Sequence, residues 1–156
     1  MADFEKSIQI ILDHEGSYVN NSNDFGGETN FGISKKSYPN IDIKNLTIDQ
    51  AKQIYNKDYW IPIQGDQIID QDFATALLDF AVNAGVVTAI KQVQKCLNII
   101  SDGIFGPKTL FAINTNGYLT KLFAKTRSSY YINIVKQKPN QIEFLEGWIN
   151  RTIDLV

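Results

Sequence analysis

The chain has 156 residues, of which 44% are hydrophobic, 21% charged and 12% aromatic, proportions typical of a soluble globular protein and too apolar for a disordered one. Its 15 Lys and Arg against 17 Asp and Glu give a net charge of −2, which argues against a strongly basic surface for nucleic acid or an anionic membrane. A single cysteine, Cys96, and a single histidine, His14, exclude an internal disulfide and a His/Cys zinc site.

The first predicted element is an amphipathic helix that Asp3 can cap and that Gly16 is expected to end. Its apolar residues fall at i, i+4, i+7 and i+8, namely Phe4, Ile8, Ile11 and Leu12. From residue 17 to residue 33, β-prone pairs alternate with Asn, Asp and Gly, which predicts a short, irregular hairpin.

The rest of the chain is predicted to be helical. Thr47 and Gln50 form a potential capping box for a helix that should end near Pro62. Further helices are predicted over 71–84, 87–97, from Pro107 onward, over 119–135 and over 140–153, with a turn-rich loop over 98–107. The chain is therefore predicted to be mainly α (α+β), and the irregular segment near the N-terminus is where a functional site is expected.

Three residues of that segment suggest chemistry. Glu15 is expected to close the first helix at the edge of the core, where desolvation would favour the protonated carboxyl that a general acid needs. The turn residues over 20–27 predict a fold-back that brings Asp24 and Thr29 toward Glu15. Two carboxyls and a hydroxyl suit protonation of a leaving oxygen and activation of water. Spacing alone leaves open that all three are solvated surface or turn residues.

The sequence around these residues closely resembles that of a known family. Residues 14–20, His-Glu-Gly-Ser-Tyr-Val-Asn, and residues 24–34, Asp-Phe-Gly-Gly-Glu-Thr-Asn-Phe-Gly-Ile-Ser, resemble the opening motif of the glycoside hydrolase family 108 muramidases. These are lysozyme-like enzymes of phage endolysins and bacterial secretion systems. The resemblance implies that Glu15 is the catalytic acid and that Asp24 and Thr29 are its companions. Phe25 stands where the family often has Pro, for which we expect a small change of turn geometry.

The resemblance continues to residue 152. Residues 79–85 and 102–110 look like the predicted peptidoglycan-binding region of these enzymes, and residues 144–151 match its closing Gly-Trp-x-x-Arg signature. It implies a lysozyme-like fold with a catalytic lobe over 1–69 and a helical peptidoglycan-binding region over 70–156, packed as one unit.

Several residues are candidates for substrate binding. Asn83, expected to be buried on an apolar helix, is implied to contact sugar or organise the cleft, or else it caps the helix next to Gly85. The other predicted substrate-binding residues are Tyr18, Asn20 and Gln94. Large aromatics at helical spacing are more often core than sugar-stacking residues, and here they are Trp60, Tyr130, Tyr131 and Trp148. Cys96 is interpreted as a small buried hydrophobe rather than a nucleophile.

The function that the resemblance implies is hydrolysis of the β-1,4 bond between N-acetylmuramic acid and N-acetylglucosamine in peptidoglycan. Glu15 would protonate the glycosidic oxygen, and Asp24 would stabilise the oxocarbenium-like transition state or, with Thr29, hold the attacking water, which favours inversion. No metal or organic cofactor is implied. The alternatives are a lytic transglycosylase and a non-catalytic wall-binding or secretion-accessory module. The presence of Asp24 and Thr29 argues against the first, and the intact set of Glu15, Asp24 and Thr29 argues against the second.

The N-terminal sequence bears on delivery. It carries Asp3 and Glu5 where a signal peptide has Lys or Arg, and its apolar run over 8–12 is far short of a membrane span. We expect a monomer made in the cytoplasm, without stable membrane insertion, that reaches the glycan strands of the periplasm or cell wall through a holin or secretion machinery. Phage lysis and secretion remain open as roles.

Overall fold

The structure is a computed structural model that describes residues 1–14, 18–20 and 28–156. The predicted features at Glu15, Gly16, Asp24 and Phe25 lie outside these residues. The elements, in chain order, are α1 (Phe4–His14), β1 (Val19–Asn20), β2 (Glu28–Asn30), β3 (Ile33–Ser34), α2 (Ile48–Tyr55), a π-helix (Asn56–Trp60), a 3-10 turn (Gly65–Gln67), α3 (Gln71–Ala84), α4 (Val86–Cys96), α5 (Pro107–Asn114), α6 (Leu119–Gln137), a 3-10 turn (Pro139–Gln141) and α7 (Ile142–Ile153).

Helix α3 lies at the centre of the molecule. Every residue from 73 to 81 is buried, and α1, α4 and α6 pack around it. A helix segment buried on all sides is apolar all round, as residues 73–81 are apart from Thr75 and Asp79. Phe123 of α6 meets the rings of Phe73 and Phe80 edge-on at centroid distances of 5.5 and 5.7 Å. The central helix therefore joins the N-terminal and C-terminal halves of the chain in one core.

Helices α1 and α3 run parallel, with a constant offset between the residues that face each other. The backbone N–H of Asp3 donates to Gln71 Oε1 at 2.7 Å, and the hydroxyls of Ser7 and Thr75 are 2.8 Å apart, each pair separated by 68 residues. Asp3 also caps α1 as predicted, because its Oδ1 accepts from the N–H of Glu5 at 2.8 Å. The C-terminal ends of α1 and α3 therefore lie on the same side of the core.

The predicted helices are confirmed to within a few residues, and the structure differs from the prediction after α2 and in the small sheet. The capping box at Thr47 and Gln50 is present, but α2 continues as a π-helix in which Ile61 N–H donates to Asn56 O at 2.9 Å. The predicted hairpin is a three-stranded antiparallel sheet that extends to Ser34. Among the described residues, no helix is long and apolar enough to span a membrane.

Candidate active site

Thr29 lies in the central strand of the small sheet. Val19 of β1 and Ser34 of β3 stand opposite it in the two ladders, and Asn20 stands opposite Glu28. Because side chains alternate along a strand, Thr29 lies on the face opposite to that of its neighbours Glu28 and Asn30. Of the three predicted catalytic residues, Thr29 is described and half-buried, whereas Glu15 and Asp24 lie outside the described residues.

The described residues that flank Glu15 and Asp24 belong to this sheet and to α1. Helix α1 ends at His14, directly before Glu15 in the sequence, and β1 begins at Val19. Asn20 pairs with Glu28, and these two residues flank segment 21–27, which contains Asp24. Asn20, a predicted substrate-binding residue, therefore contributes its backbone to this pairing.

Tyr18 contacts a carboxylate that the sequence analysis did not single out. Its hydroxyl donates to Glu28 Oε1 at 2.8 Å, and its side chain is exposed. The strand register explains the contact, because Tyr18 and Glu28 are diagonal neighbours on one face of the sheet. Sequence reasoning could not find this pair without the register. The substrate-binding role of Tyr18 stays a prediction.

Asn30 and Tyr55 fasten the sheet to the helical body. Asn30 is 6% exposed, and its Nδ2 donates to the backbone carbonyls of Ile43 at 3.1 Å and Leu46 at 3.5 Å. The Tyr55 hydroxyl of α2 donates to the carbonyl of Phe31 at 2.8 Å, in the left-handed turn between β2 and β3. These bonds fix the strand that carries Thr29, and sequence reasoning missed both residues because their partners are distant backbone atoms.

Asn83 is exposed, so its expected burial is wrong. The buried run of α3 ends at Ala81, and the Asn83 side chain donates to the carbonyl of Asp79 one turn back at 2.8 Å. Gly85, with φ of 87°, is the C-cap residue. Asn83 is therefore not the cap of α3. Its exposed amide lies at the end of α3, on the side of the core where α1 ends, and its contact with sugar stays a prediction.

Gln94 organises a loop. It is 2% exposed, and its Nε2 donates to Asp102 Oδ1 at 2.8 Å, the carbonyl of Ile104 at 3.1 Å and Thr109 Oγ1 at 3.2 Å, while its Oε1 accepts from the N–H of Gly103 at 2.9 Å. Its polar atoms are thus bonded to the loop between α4 and α5 and to Thr109 in the first turn of α5. Its predicted role in binding substrate stays a prediction, and any such effect would act through the loop.

The remaining candidates belong to the core. Trp60 and Tyr131 are buried, and the ring of Trp148 stacks on that of Tyr131 at a centroid distance of 4.9 Å. Cys96 is half-buried and carries a free thiol whose pKa is raised by burial, which disfavours a nucleophilic thiolate. Among the described residues, no cluster of three or more His, Cys, Asp or Glu could hold a metal ion.

Comparison with known proteins decides the family. Residues 8–85, half of the chain, match the family model described as glycosyl hydrolase 108. The chain belongs to the glycosyl hydrolase 108 family. Residues 88–153 match the model described as a predicted peptidoglycan domain. No curated protein matches the chain.

A solved structure supports the same assignment. The structure of Brucella abortus SagA is similar over 97% of this chain and 90% of that chain, with a TM-score of 0.82 and 28% sequence identity. The predicted mainly α, lysozyme-like fold is thereby confirmed. This chain has both a glycosyl hydrolase 108 region and a peptidoglycan domain, so the protein is a lysozyme-type glycoside hydrolase whose substrate is peptidoglycan.

A buried ion cluster joins the two regions of this glycosyl hydrolase 108 protein. Asp79, 0% exposed, belongs to the first region, whereas Arg127 and Arg151 belong to the second. Arg151 Nε donates to Asp79 Oδ1 at 2.6 Å, and Arg127 Nη2 lies 2.5 Å from Asp79 Oδ2. The sequence resemblance found Asp79 and Arg151 in two separate motifs, and the structure brings them into one contact. The division at residues 69 and 70 stays a prediction, and the two family models meet between residues 85 and 88.

Proposed function

We propose that this glycosyl hydrolase 108 enzyme cleaves the bond between N-acetylmuramic acid and N-acetylglucosamine with Glu15 as its general acid and Asp24 and Thr29 as the groups that handle water. The pairing of Asn20 with Glu28 carries this proposal. Asn20 and Glu28 flank the segment that contains Asp24, and Glu28 directly precedes Thr29 in β2. Strand β1 begins at Val19, four residues after Glu15 in the sequence. The proposal thus assigns the reaction to one short stretch of chain.

The proposed reaction is a displacement at the anomeric carbon. Glu15 transfers its proton to the glycosidic oxygen while the bond from that oxygen to the anomeric carbon breaks. A water molecule attacks the opposite face of the sugar and gives its proton to the Asp24 carboxylate, with the Thr29 hydroxyl holding the water. This arrangement inverts the configuration and needs carboxyl groups about 6.5–9.5 Å apart, whereas about 5–5.5 Å would permit direct attack and retention.

Replacement of Glu15 tests the acid. Glu15→Gln keeps the size and hydrogen bonding of the side chain but removes the proton donor, so the rate of wall hydrolysis should fall about 10²- to 10⁴-fold. Glu5→Gln is the matched control on the preceding helix, because Glu5 is exposed and forms only a surface ion pair with Lys52 at 2.6 Å. Wild-type activity in Glu15→Gln, with Glu5→Gln equally active, would show that the acid is another residue.

Asp24 and the stereochemistry are tested separately. Asp24→Asn should also lower the rate severely, because an amide neither accepts the proton of water nor balances positive charge at the anomeric carbon. Proton NMR of the first product should show the α anomer. A β product would contradict the inverting mechanism while leaving the assignment of Glu15 intact.

We further propose that the enzyme acts as a monomer and reaches the wall through a holin or a secretion system. The N-terminal helix packs against the core through Ile8 and Ile11, which are buried, and Ala2 N–H donates to the carbonyl of Ile68 at 2.7 Å. Purified protein should clear isolated wall, and intact producing cells should lyse only when a holin is co-expressed. Lysis upon expression alone would contradict this route.

A further inference from the structure

A cleft of about 750 Å³ lies between the loop that follows α4 and the start of α5. Its apolar lining residues are Ile99, Ile100, Ile104 and Pro107, and its charged ones are Asp102 and Lys108. Ile100 is 81% exposed and Ile104 is 68% exposed. Exposed apolar side chains grouped around a concave surface mark a binding site more often than isolated ones do.

The loop that forms one wall of this cleft is held in a single shape. The buried amide of Gln94 binds three groups of the loop, at Asp102, Gly103 and Ile104. Asp102 Oδ1 also accepts from the N–H of Ile104 at 2.9 Å, and these hydrogen bonds hold the pKa of the Asp102 carboxyl below its usual range. The cleft is therefore formed in advance of any ligand, which lowers the entropy cost of binding.

Gly103 fixes the loop against α4. Its φ is +81°, and a Cβ at this position would lie 3.0 Å from the side chain of Val87 and 3.1 Å from that of Lys91. Only glycine satisfies both the left-handed backbone and the close packing. The loop therefore places the Asp102 carboxylate beside the apolar cleft by backbone geometry.

We propose that this cleft binds the stem peptide of peptidoglycan rather than its sugar strand. The proposal rests on the proposed function, because the cleft lies in the region that matches a peptidoglycan domain. Stem peptides carry alanine methyl groups, free carboxylates and the amine of a dibasic residue. The isoleucine side chains suit the methyl groups, the Asp102 carboxylate suits the amine, and the Lys108 ammonium suits a carboxylate.

The composition of the lining favours a peptide over a sugar. None of the described residues that line the cleft is aromatic, whereas a sugar ring is bound best by the flat apolar face that an aromatic side chain offers. Among the described residues, none forms an ion pair with Lys108. Its ammonium group is thus available to a ligand carboxylate at the rim.

Calorimetric titration of the full chain tests this site. The probes are a tetrapeptide stem purified from cell wall and the disaccharide of N-acetylglucosamine and N-acetylmuramic acid without peptide. The tetrapeptide should bind, and the disaccharide should give no signal that depends on the cleft. Ile100→Ser and Lys108→Glu should each weaken tetrapeptide binding by about 5- to 30-fold, the first because it removes an apolar contact and the second because it replaces an attracting charge with a repelling one.

Ile69→Ser is the matched control. Ile69 is 62% exposed and does not line the cleft, so its replacement should leave tetrapeptide binding unchanged. Thermal unfolding should show all three variants folded, because each changes an exposed side chain. Hydrolysis of peptide-free glycan by Ile100→Ser and Lys108→Glu should equal that of the wild type, which separates this site from the proposed catalytic one.

Three results would overturn the proposal. Tetrapeptide affinity unchanged in both cleft variants would place the peptide elsewhere, and disaccharide binding that Ile100→Ser weakens would make the cleft a sugar site. A wild-type dimer that Ile100→Ser converts to a monomer, with peptide affinity unchanged, would make it an interface between copies. If the wild type hydrolyses no glycan while the titrations behave as expected, the proposed function fails and the peptide site stands.

Discussion

Asn30 shows how a residue without a proposed chemical role positions one that has such a role. Its amide bridges the strand of Thr29 to the carbonyls of Ile43 and Leu46, and Ile43 is fully buried. Asn30→Ala leaves those carbonyls without this donor, which should lower the free energy of unfolding by about 1–3 kcal/mol. The turnover rate on wall should fall as well, because Thr29 is no longer held.

Urea unfolding and wall-clearing rates measure the two effects of Asn30→Ala. Asn45→Ala is the control, since the Asn45 amide donates only to exposed Asp42, at 2.9 Å, and its loss should change stability by less than about 0.5 kcal/mol. Full activity in a destabilised Asn30→Ala would show that other contacts, such as the bond from Tyr55 to Phe31, are enough to position the strand.

Tyr38 should make stability sensitive to alkaline pH. Burial and the hydrogen bond that its hydroxyl donates to Asp58 Oδ2, at 2.9 Å, raise the pKa of Tyr38 far above its usual range. The folded state therefore keeps the proton at a pH where the unfolded chain loses it, above about 10. The stabilisation is complete below that pH and declines as the pH rises further, since deprotonation favours the unfolded state.

Tyr38→Phe removes both the hydrogen bond and the titrating group. We expect the variant to be less stable than the wild type at pH 7, and the difference to narrow between pH 9 and 11. Urea unfolding across this range measures it. Tyr118→Phe, at an exposed position, should follow the wild-type curve. A constant difference between Tyr38→Phe and the wild type at every pH would refute the proton-linked contribution.

At the scale of elements, the corner after α2 depends on a close contact. The π-helix brings Trp60 into the core, where its Nε1 donates to Asp66 Oδ1 at 2.7 Å. A Cβ on Gly65 would lie 2.3 Å from two ring carbons of Trp60, closer than any real contact. Gly65→Ala must therefore displace a fully buried indole, and we expect a loss of stability of about 1–3 kcal/mol or more.

Gly117→Ala is the control for that substitution, because no atom lies within 4 Å of a Cβ there. It should be neutral or slightly stabilising, by at most about 1 kcal/mol. Urea midpoints give the difference between the two variants, and near-UV circular dichroism reports the displaced indole. Equal midpoints for Gly65→Ala and the wild type would mean that the Trp60 ring moves aside freely.

The elements that sequence predicted well are those with local signals. The hydrophobic periodicity of a helix and its capping residues depend on residues that are close in sequence. The bounds of α3 and the capping box at Thr47 were therefore predictable. The third strand, the π-helix and the bond from Tyr18 to Glu28 were not, because strand register and packing decide them. Asn83 was expected to be buried because its neighbours are apolar, but burial depends on where α3 leaves the core.

At the scale of the whole molecule, too, some contacts depend on the fold and have no local sequence signal. Asp79, Arg127 and Arg151 come from three helices, and the guanidinium of Arg127 also lies over the ring of Phe80 at 5.2 Å. Only the fold brings these groups together, within a site in which Asp79 and Arg127 are almost fully buried. Because the cluster spans both family regions, we expect it to couple the stability of the glycosyl hydrolase region to that of the peptidoglycan domain.

Asp79→Asn tests that coupling. It leaves two guanidinium groups in a buried site without their carboxylate, which typically costs about 3–5 kcal/mol, a large share of the about 5–15 kcal/mol of a whole domain. Arg151→Gln should cost less, since the Arg151 side chain is partly exposed and Arg127 still pairs with Asp79.

Two probes show whether the regions unfold together. In a Trp148→Phe background, fluorescence reports Trp60 in the first region, while far-UV circular dichroism reports all helices. We expect both probes to give one urea transition in the background protein, and both midpoints to fall by the same amount when Asp79→Asn is added, because the cluster belongs to a single core. If the Trp60 signal keeps its midpoint while the helical signal splits into two transitions, the glycosyl hydrolase region folds without the support of the C-terminal helices.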